Sequence, residues 1–197
     1  MIFDIVSLVE TAGYLGITVI IFAETGLFFG FFFPGDSLLF TAGILASQGF
    51  FNIWLLVLLT TSAAILGDSV GYWSGKKTGP YIFIRPDSFW FSHARVQDAQ
   101  RFFEKYGPLS IILSRFIPVV RTFTPIVAGV AEMNYKVFLT YNVIGAFLWA
   151  FTVPILGYLL GNVVPDIERY IIPLIILIVG VSFLPVATDV VRKRFLK

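Results

Sequence analysis

The feature that most limits the fold is a stretch of thirty-one residues without a charge, between Asp36 and Asp68. A straight helix of that length would extend about 46 Å, which exceeds the membrane's hydrocarbon core of about 30 Å. The stretch therefore has to bend, and residues 47–52 (SQGFFN) are of the types that form turns. The remainder, about residues 53–74, predicts one complete membrane crossing.

Composition supports a membrane location for the whole chain. The chain has 197 residues, of which 57% are hydrophobic and 13% are charged, whereas a soluble domain carries about 25% charged residues. Because exposed backbone groups must be hydrogen-bonded internally in lipid, we predict an all-α integral membrane protein in one compact bundle. The chain contains no cysteine, and we expect no metal site and no cofactor.

Three further segments are apolar, and they differ in length. Residues 137–161 predict a second crossing, and residues 171–191 predict a C-terminal transmembrane helix. Residues 109–120 and 122–130 are each too short to span and flank a proline-rich break, which favours a re-entrant hairpin. Residues 15–33 could enter a similar hairpin or cross fully, and the sequence leaves both open. The predicted hairpin breaks are Pro34, Gly35, Pro118, Pro125 and Gly129.

A weak internal repeat relates the two halves of the chain. A shift of 91 residues aligns Glu24 with Arg115, and a shift of 86 residues aligns Gly43 with Gly129. Each half then contains a hairpin followed by a crossing. We therefore predict repeat 1 over about 14–75, a linker over 76–106, repeat 2 over about 107–161 and a C-terminal helix.

The basic residues predict the orientation of these elements. All 14 lysines and arginines follow residue 75, and they concentrate in the linker and the C-terminal tail. The positive-inside rule places both segments in the cytoplasm. The two halves then enter their crossings from opposite sides, which is the inverted-repeat plan of many secondary transporters. The linker also has the apolar stripe of an amphipathic helix.

Four charged residues lie in or beside these apolar segments: Glu24, Asp36, Arg115 and Arg121. A charge at membrane depth costs roughly 2.5–3.5 kcal/mol even on lenient scales, so it usually marks a substrate or ion path. Paired arginines suit a phosphate, because their planar guanidinium groups match its geometry. Carboxylates beside such a path can bind and release a proton or another coupling cation. A plain structural network of ion pairs is the alternative.

The proline-rich breaks also create helix starts within the membrane. Either Asp36 or Ser37 is a candidate N-cap of one half-helix, and Thr124 is a candidate for another, with Pro125 at the favoured first position. Asp68 and Tyr72 are accessory candidates, although Asp68 is more typical of a helix end or a packing contact. His93 is the single histidine of the chain and predicts neither a metal site nor acid–base chemistry.

At these residues the chain resembles the DedA family of bacterial inner-membrane proteins, which is related to the VTT-domain lipid scramblases. The resemblance extends from about Tyr14 to Gly161. The segments that carry it are Glu24, residues 33–43 (FPGDSLLFTAG), 67–76 (GDSVGYWSGK), 115–129 (RFIPVVRTFTPIVAG) and 141–149 (YNVIGAFLW).

The resemblance implies a transporter or flippase that moves undecaprenyl phosphate across the cytoplasmic membrane with the proton-motive force. It also implies that Arg115 and Arg121 bind the lipid phosphate and that Glu24 and Asp36 couple protons. Two alternatives are an uncoupled phospholipid scramblase and a membrane-homeostasis protein. A lipid-phosphate phosphatase would need two histidines, so we do not expect an enzyme. The expected partners are a membrane lipid and protons, not nucleic acid. The sequence does not decide whether the chain forms a homo-oligomer.

Overall fold

The computed structural model describes residues 2–27, 35–82 and 105–164, with the side chains of 2–12, 80–82, 118 and 119 left out. Within these ranges every regular element is a helix, which confirms the all-α prediction. The helices are α1 (Ile2–Gly26), α2 (Gly35–Ser47), α3 (Ile53–Ile82), α4 (Leu109–Ser114), α5 (Pro118–Val130) and α6 (Tyr135–Val163).

Two of these helices are long and apolar enough to cross a membrane. Residues Ile53–Gly79 of α3 and the whole of α6 meet that criterion by length and composition, which agrees with the two crossings predicted from the sequence. Large apolar side chains such as Trp54 and Leu58 on α3 and Phe147 on α6 are exposed on their outer faces. The predicted C-terminal helix at 171–191 and most of the linker lie outside the described residues.

The bend predicted within the charge-free stretch is confirmed. Helix α2 ends at Ser47, and Gly49 follows with a φ of +87°, in the left-handed region that glycine adopts most easily. Asn52 then caps α3, because its Oδ1 accepts hydrogen bonds from the backbone N–H groups of Trp54 and Leu55 at 3.0 and 3.1 Å.

The arginine segment contains two short helices, but its break lies at one proline only. Helix α4 ends at Ser114 and α5 begins at Pro118, whose fixed φ suits the first position of a helix. The prediction of a second break at Pro125 is wrong, because Pro125 and Gly129 both lie inside α5. Thr124 caps no helix: its hydroxyl donates back to the carbonyl of Val120 at 2.8 Å. Packing of α5 along α3 supports a helix that the proline alone would weaken.

Helices α2 and α5 each pack mainly against the long helix of the other half of the chain. Helix α2 lies along α6, and α5 lies along α3. Glycines permit both close approaches, because a Cβ at Gly43 would collide with the Pro154 carbonyl and one at Gly129 with the Tyr72 carbonyl. The division into two repeats stays a prediction. The two halves of the chain are nevertheless interlocked, because α2 of the first half packs on α6 and α5 of the second half packs on α3.

We expect Gly43→Ala to destabilise the protein by about 1–3 kcal/mol, since the added methyl group has to push α2 away from α6. The matched control is Gly16→Ala in α1, where an added Cβ meets no described atom within 4 Å. The thermal unfolding midpoint of the purified protein in detergent measures both effects. Equal midpoints for the two variants would contradict the close α2–α6 crossing.

Apolar clusters lie on both sides of a polar layer. One cluster includes Ala64 of α3 and Ala146 of α6, and the other includes Tyr72 of α3 and Phe138 of α6. Polar side chains occupy the gap between the clusters, including Asp68 on α3 and Asn142 on α6, and both are buried. The long helices therefore hold Asp68 and Asn142 at one level inside the bundle, between two apolar regions.

Candidate functional site

Arg121 forms the centre of the first group of buried charges. It lies near the start of α5, and its guanidinium reaches acidic residues on two other helices. Nη2 pairs with Oε1 of Glu24, close to the end of α1, and Nη1 donates to Oδ1 of Asp36 in the first turn of α2 at 2.7 Å. The structure therefore brings three of the four sequence-predicted residues together around one guanidinium.

Trp149 of α6 completes this group. Its indole N–H donates to the same Asp36 oxygen at 2.8 Å, and its ring lies 4.8 Å from the Arg121 guanidinium carbon. A cation over an aromatic face at this distance is attracted by the ring's electron density. In the sequence, Trp149 stands out only as the last residue of a motif that carries the family resemblance, and no role was predicted for it. Its position within the 141–149 motif (YNVIGAFLW), which carries part of the family resemblance, was the signal that could have identified it.

Gly35 allows the acidic residues to converge. The glycine opens α2 directly beside the Glu24 carboxylate, and a Cβ at this position would collide with that group. A larger residue would therefore separate the end of α1 from the start of α2. The predicted break residue Pro34 lies outside the described residues, whereas Gly35 is the first residue of α2.

Arg115 forms a second group at the end of α4. Its Nη2 pairs with Oδ2 of Asp68 on α3 and donates to Oδ1 of Asn142 on α6 at 2.5 Å. Asn142 is itself oriented by a long hydrogen bond from its Nδ2 to the Ile65 carbonyl at 3.4 Å. Asp68, an accessory candidate in the sequence, is thus the counter-ion of Arg115, whereas Glu24 and Asp36 both pair with Arg121.

The two groups lie at successive levels of the same helix. Asn142 and Trp149 are seven residues apart on α6, which is a rise of about 10.5 Å on nearly the same face. The groups still interact through space, because the charge of Arg121 acts on both Asp68 and Arg115. Among the described residues, this network holds three carboxylates and two guanidinium groups, so full ionisation leaves one negative charge in excess.

The network retains some unused hydrogen-bonding capacity. Within the described part of the chain, the buried Nε atoms of Arg115 and Arg121 have no hydrogen-bond partner. An unpaired buried donor is costly, and a native structure usually has a reason for keeping one. An anion with several acceptor oxygens could use these donors, since each guanidinium presents more donors than its present partners fill.

Other candidate residues lie apart from these charges. Tyr72 donates its hydroxyl proton to the Met133 carbonyl and stacks on Phe138 with ring centroids 4.8 Å apart. It therefore joins α3 to the turn that precedes α6 and is a structural residue in this arrangement. His93 lies outside the described residues. Within the described ranges, no group of histidine, cysteine and acidic residues could hold a metal ion.

Comparison with known proteins identifies related chains. Residues 33–159 match the VTT domain. The chain is 44% identical to an uncharacterised membrane protein of Mycobacterium leprae, with 85% of this chain and 74% of the relative covered. It is 42% identical to Protein DedA of Escherichia coli, with coverage of 92% and 83%, and 34% identical to Inner membrane protein YqjA of the same species, with coverage of 86% and 80%. No solved structure matches the chain.

Proposed function

Because the chain belongs to the VTT-domain family, which includes the DedA proteins, we propose that it moves a polyprenyl phosphate lipid across the bacterial cytoplasmic membrane. Undecaprenyl phosphate is the proposed substrate, and the proton-motive force is the proposed driving force. The names of its relatives, which include an inner membrane protein, support this location. The proposal treats the protein as a transporter and not as an enzyme.

The buried Arg121 group is the observation that carries the proposal. A guanidinium, two carboxylates and an indole N–H converge from four helices in an otherwise apolar bundle. Burying this many charges costs several kcal/mol per ion before pairing offsets it, and stability alone does not explain that cost. A phosphate monoester matches the planar, multi-donor guanidinium, and the acidic residues supply groups that can take up a proton in exchange.

Reconstitution of the protein into vesicles that contain undecaprenyl phosphate tests the proposal. A membrane-impermeant phosphatase added outside hydrolyses lipid phosphate in the outer leaflet only. We expect the protein to make the inner-leaflet fraction accessible as well, whereas that fraction should stay protected in protein-free vesicles. Continued protection in the presence of folded protein would contradict the proposed activity.

The same vesicles separate the transporter from an uncoupled scramblase. The alternative draws support from the two ion pairs of Arg121 with Glu24 and Asp36, which could also hold the helices together without titrating. A scramblase should move phosphatidylcholine and polyprenyl phosphate alike. A transporter that recognises a phosphate monoester should leave phosphatidylcholine in its original leaflet.

The proposed transport plan also includes re-entrant hairpins and opposite orientations of the two halves. Because the chain has no cysteine, single cysteines can be labelled without interference. We expect Phe50→Cys, in the turn after α2, and Glu132→Cys, in the turn after α5, to react with impermeant maleimide from opposite faces of the membrane. Ile117→Cys, at the break between α4 and α5, should react more slowly than either. Labelling of both turns from one face would contradict the inverted arrangement.

A further inference from the structure

The two acidic partners of Arg121 differ in their exposure. The Glu24 side chain is 2% exposed, whereas the Asp36 side chain is 23% exposed. Glu24 is also enclosed by Gly35, which lies directly against its carboxylate. A ligand that approaches Arg121 from outside the bundle therefore meets Asp36 first, and Asp36 is the counter-ion that can leave without opening the packing of α1 against α2.

Trp149 is linked to the same exchangeable carboxylate. Oδ1 of Asp36 accepts hydrogen bonds from both the Arg121 guanidinium and the Trp149 indole, at 2.7 and 2.8 Å. Departure of Asp36 would leave two donors without an acceptor at one place, in addition to the unpartnered Nε of Arg121. Trp149 is 2% exposed, so water would replace the lost acceptor only poorly.

We propose that Asp36 is a displaceable counter-ion and that Trp149 is a headgroup-binding residue. A phosphate monoester takes the place of the Asp36 carboxylate and accepts hydrogen bonds from the Arg121 guanidinium and the Trp149 indole N–H. Glu24 stays paired with Arg121. This inference rests on the proposed function and deepens it, because it assigns unequal roles to the two acidic residues and adds a residue to the lipid-phosphate site.

The geometry explains why an indole suits this position. A phosphate monoester offers several acceptor oxygens, so one oxygen can accept from the guanidinium and another from the indole N–H. The ring meanwhile remains over the guanidinium and keeps water away from its face. A phenylalanine would preserve the ring contact but lose the donor, which separates the two contributions experimentally.

Fluorescence of the full-length protein in detergent provides a direct test. The chain contains four tryptophans, so replacing Trp54, Trp73 and Trp90 by Phe leaves Trp149 as the reporter. We expect farnesyl phosphate to produce a saturable change in the emission of Trp149. Calorimetry measures the dissociation constant independently of the tryptophan signal. Farnesol tests the effect of the tail alone, and inorganic phosphate tests the headgroup alone.

Two variants with opposite expected effects complete the test. Trp149→Phe should weaken farnesyl phosphate binding about tenfold, because one hydrogen bond to a charged ligand is lost. Asp36→Asn should bind the same probe more tightly than the wild type by about threefold or more, because the competing charge is gone. Trp54→Phe, a change at an exposed position on α3, is the matched control and should bind as the wild type does.

Each outcome decides the inference. Binding without any change in Trp149 emission, wild-type affinity in Trp149→Phe, or weaker binding in Asp36→Asn would overturn it while leaving the proposed function intact. If Trp149→Phe does not fold, the emission change and the Asp36→Asn affinity still decide. An equal response to farnesol or to inorganic phosphate at the same concentration would overturn a site for a lipid headgroup. Absence of farnesyl phosphate binding to folded wild-type protein would instead contradict the proposed function itself.

Discussion

Arg121→Lys should reduce the translocation of undecaprenyl phosphate by about tenfold or more, because lysine keeps the charge but loses the planar group that binds several acceptors at once. In the structure, the two terminal nitrogens of Arg121 serve Asp36 and Glu24 separately, and a single ammonium cannot reproduce both directions. The phosphatase-protection assay in reconstituted vesicles measures the effect. Lys136→Ala, which removes an exposed lysine at the start of α6, is the matched control.

Folding has to be measured beside transport in these variants. Arg121→Gln leaves Glu24 buried without a charged partner, and loss of one member of a buried ion pair typically costs about 3–5 kcal/mol. Pairing it with Glu24→Gln should restore much of the stability without restoring transport. If Arg121→Lys folds normally and translocates lipid at the wild-type rate, the arginine is not part of the phosphate site and the static-network alternative is favoured.

An imposed pH gradient should change the distribution of undecaprenyl phosphate between the leaflets, and Glu24→Gln and Asp36→Asn should remove that response. The described network already holds more carboxylates than guanidinium groups, so an entering phosphate adds negative charge that an accompanying proton can balance. A gradient of one pH unit stores about 1.4 kcal/mol for each proton, which corresponds to about a tenfold change in the leaflet ratio.

The control for coupling is Glu132→Gln, which neutralises an exposed acidic residue in the turn after α5. This variant should respond to the gradient as the wild type does. The amide variants at Glu24 and Asp36 could still permit downhill lipid movement, because the arginines remain in place. If wild-type movement ignores the gradient and both amide variants match it, the coupling hypothesis is wrong and an uncoupled scramblase is the better description.

The two arginines belong to separate groups of buried charges, so they do not form a single phosphate site in this structure. Arg115 and Arg121 are six residues apart in the sequence, and the family resemblance implied that both bind one lipid phosphate. The structure instead assigns Asp68 and Asn142 to Arg115, while Glu24, Asp36 and Trp149 surround Arg121. Variants of the two arginines therefore disturb different sets of contacts, and their effects on folding and on lipid binding should be measured separately.

Features that depend on local chemistry could be predicted from the amino-acid sequence. The length of each apolar run predicted the two long helices, since the bilayer thickness sets how many residues are needed to cross. Gly49 and Asn52 identified the bend before α3, because a left-handed backbone and a helix cap each favour particular residue types. The charges at Glu24 and Arg121 were conspicuous because charged residues are rare in such apolar surroundings.

Which of these groups meet depends on the tertiary structure. Arg121 and Glu24 are 97 residues apart, and Trp149 and Asp36 are 113 residues apart. Their contacts depend on the crossings of α1, α2, α5 and α6, which no local pattern specifies. The same reason explains the error at Pro125, because the packing of α5 along α3 keeps a helix continuous where the residue alone predicts a break. Local preference set the elements, and long-range packing selected the partners of each buried charge.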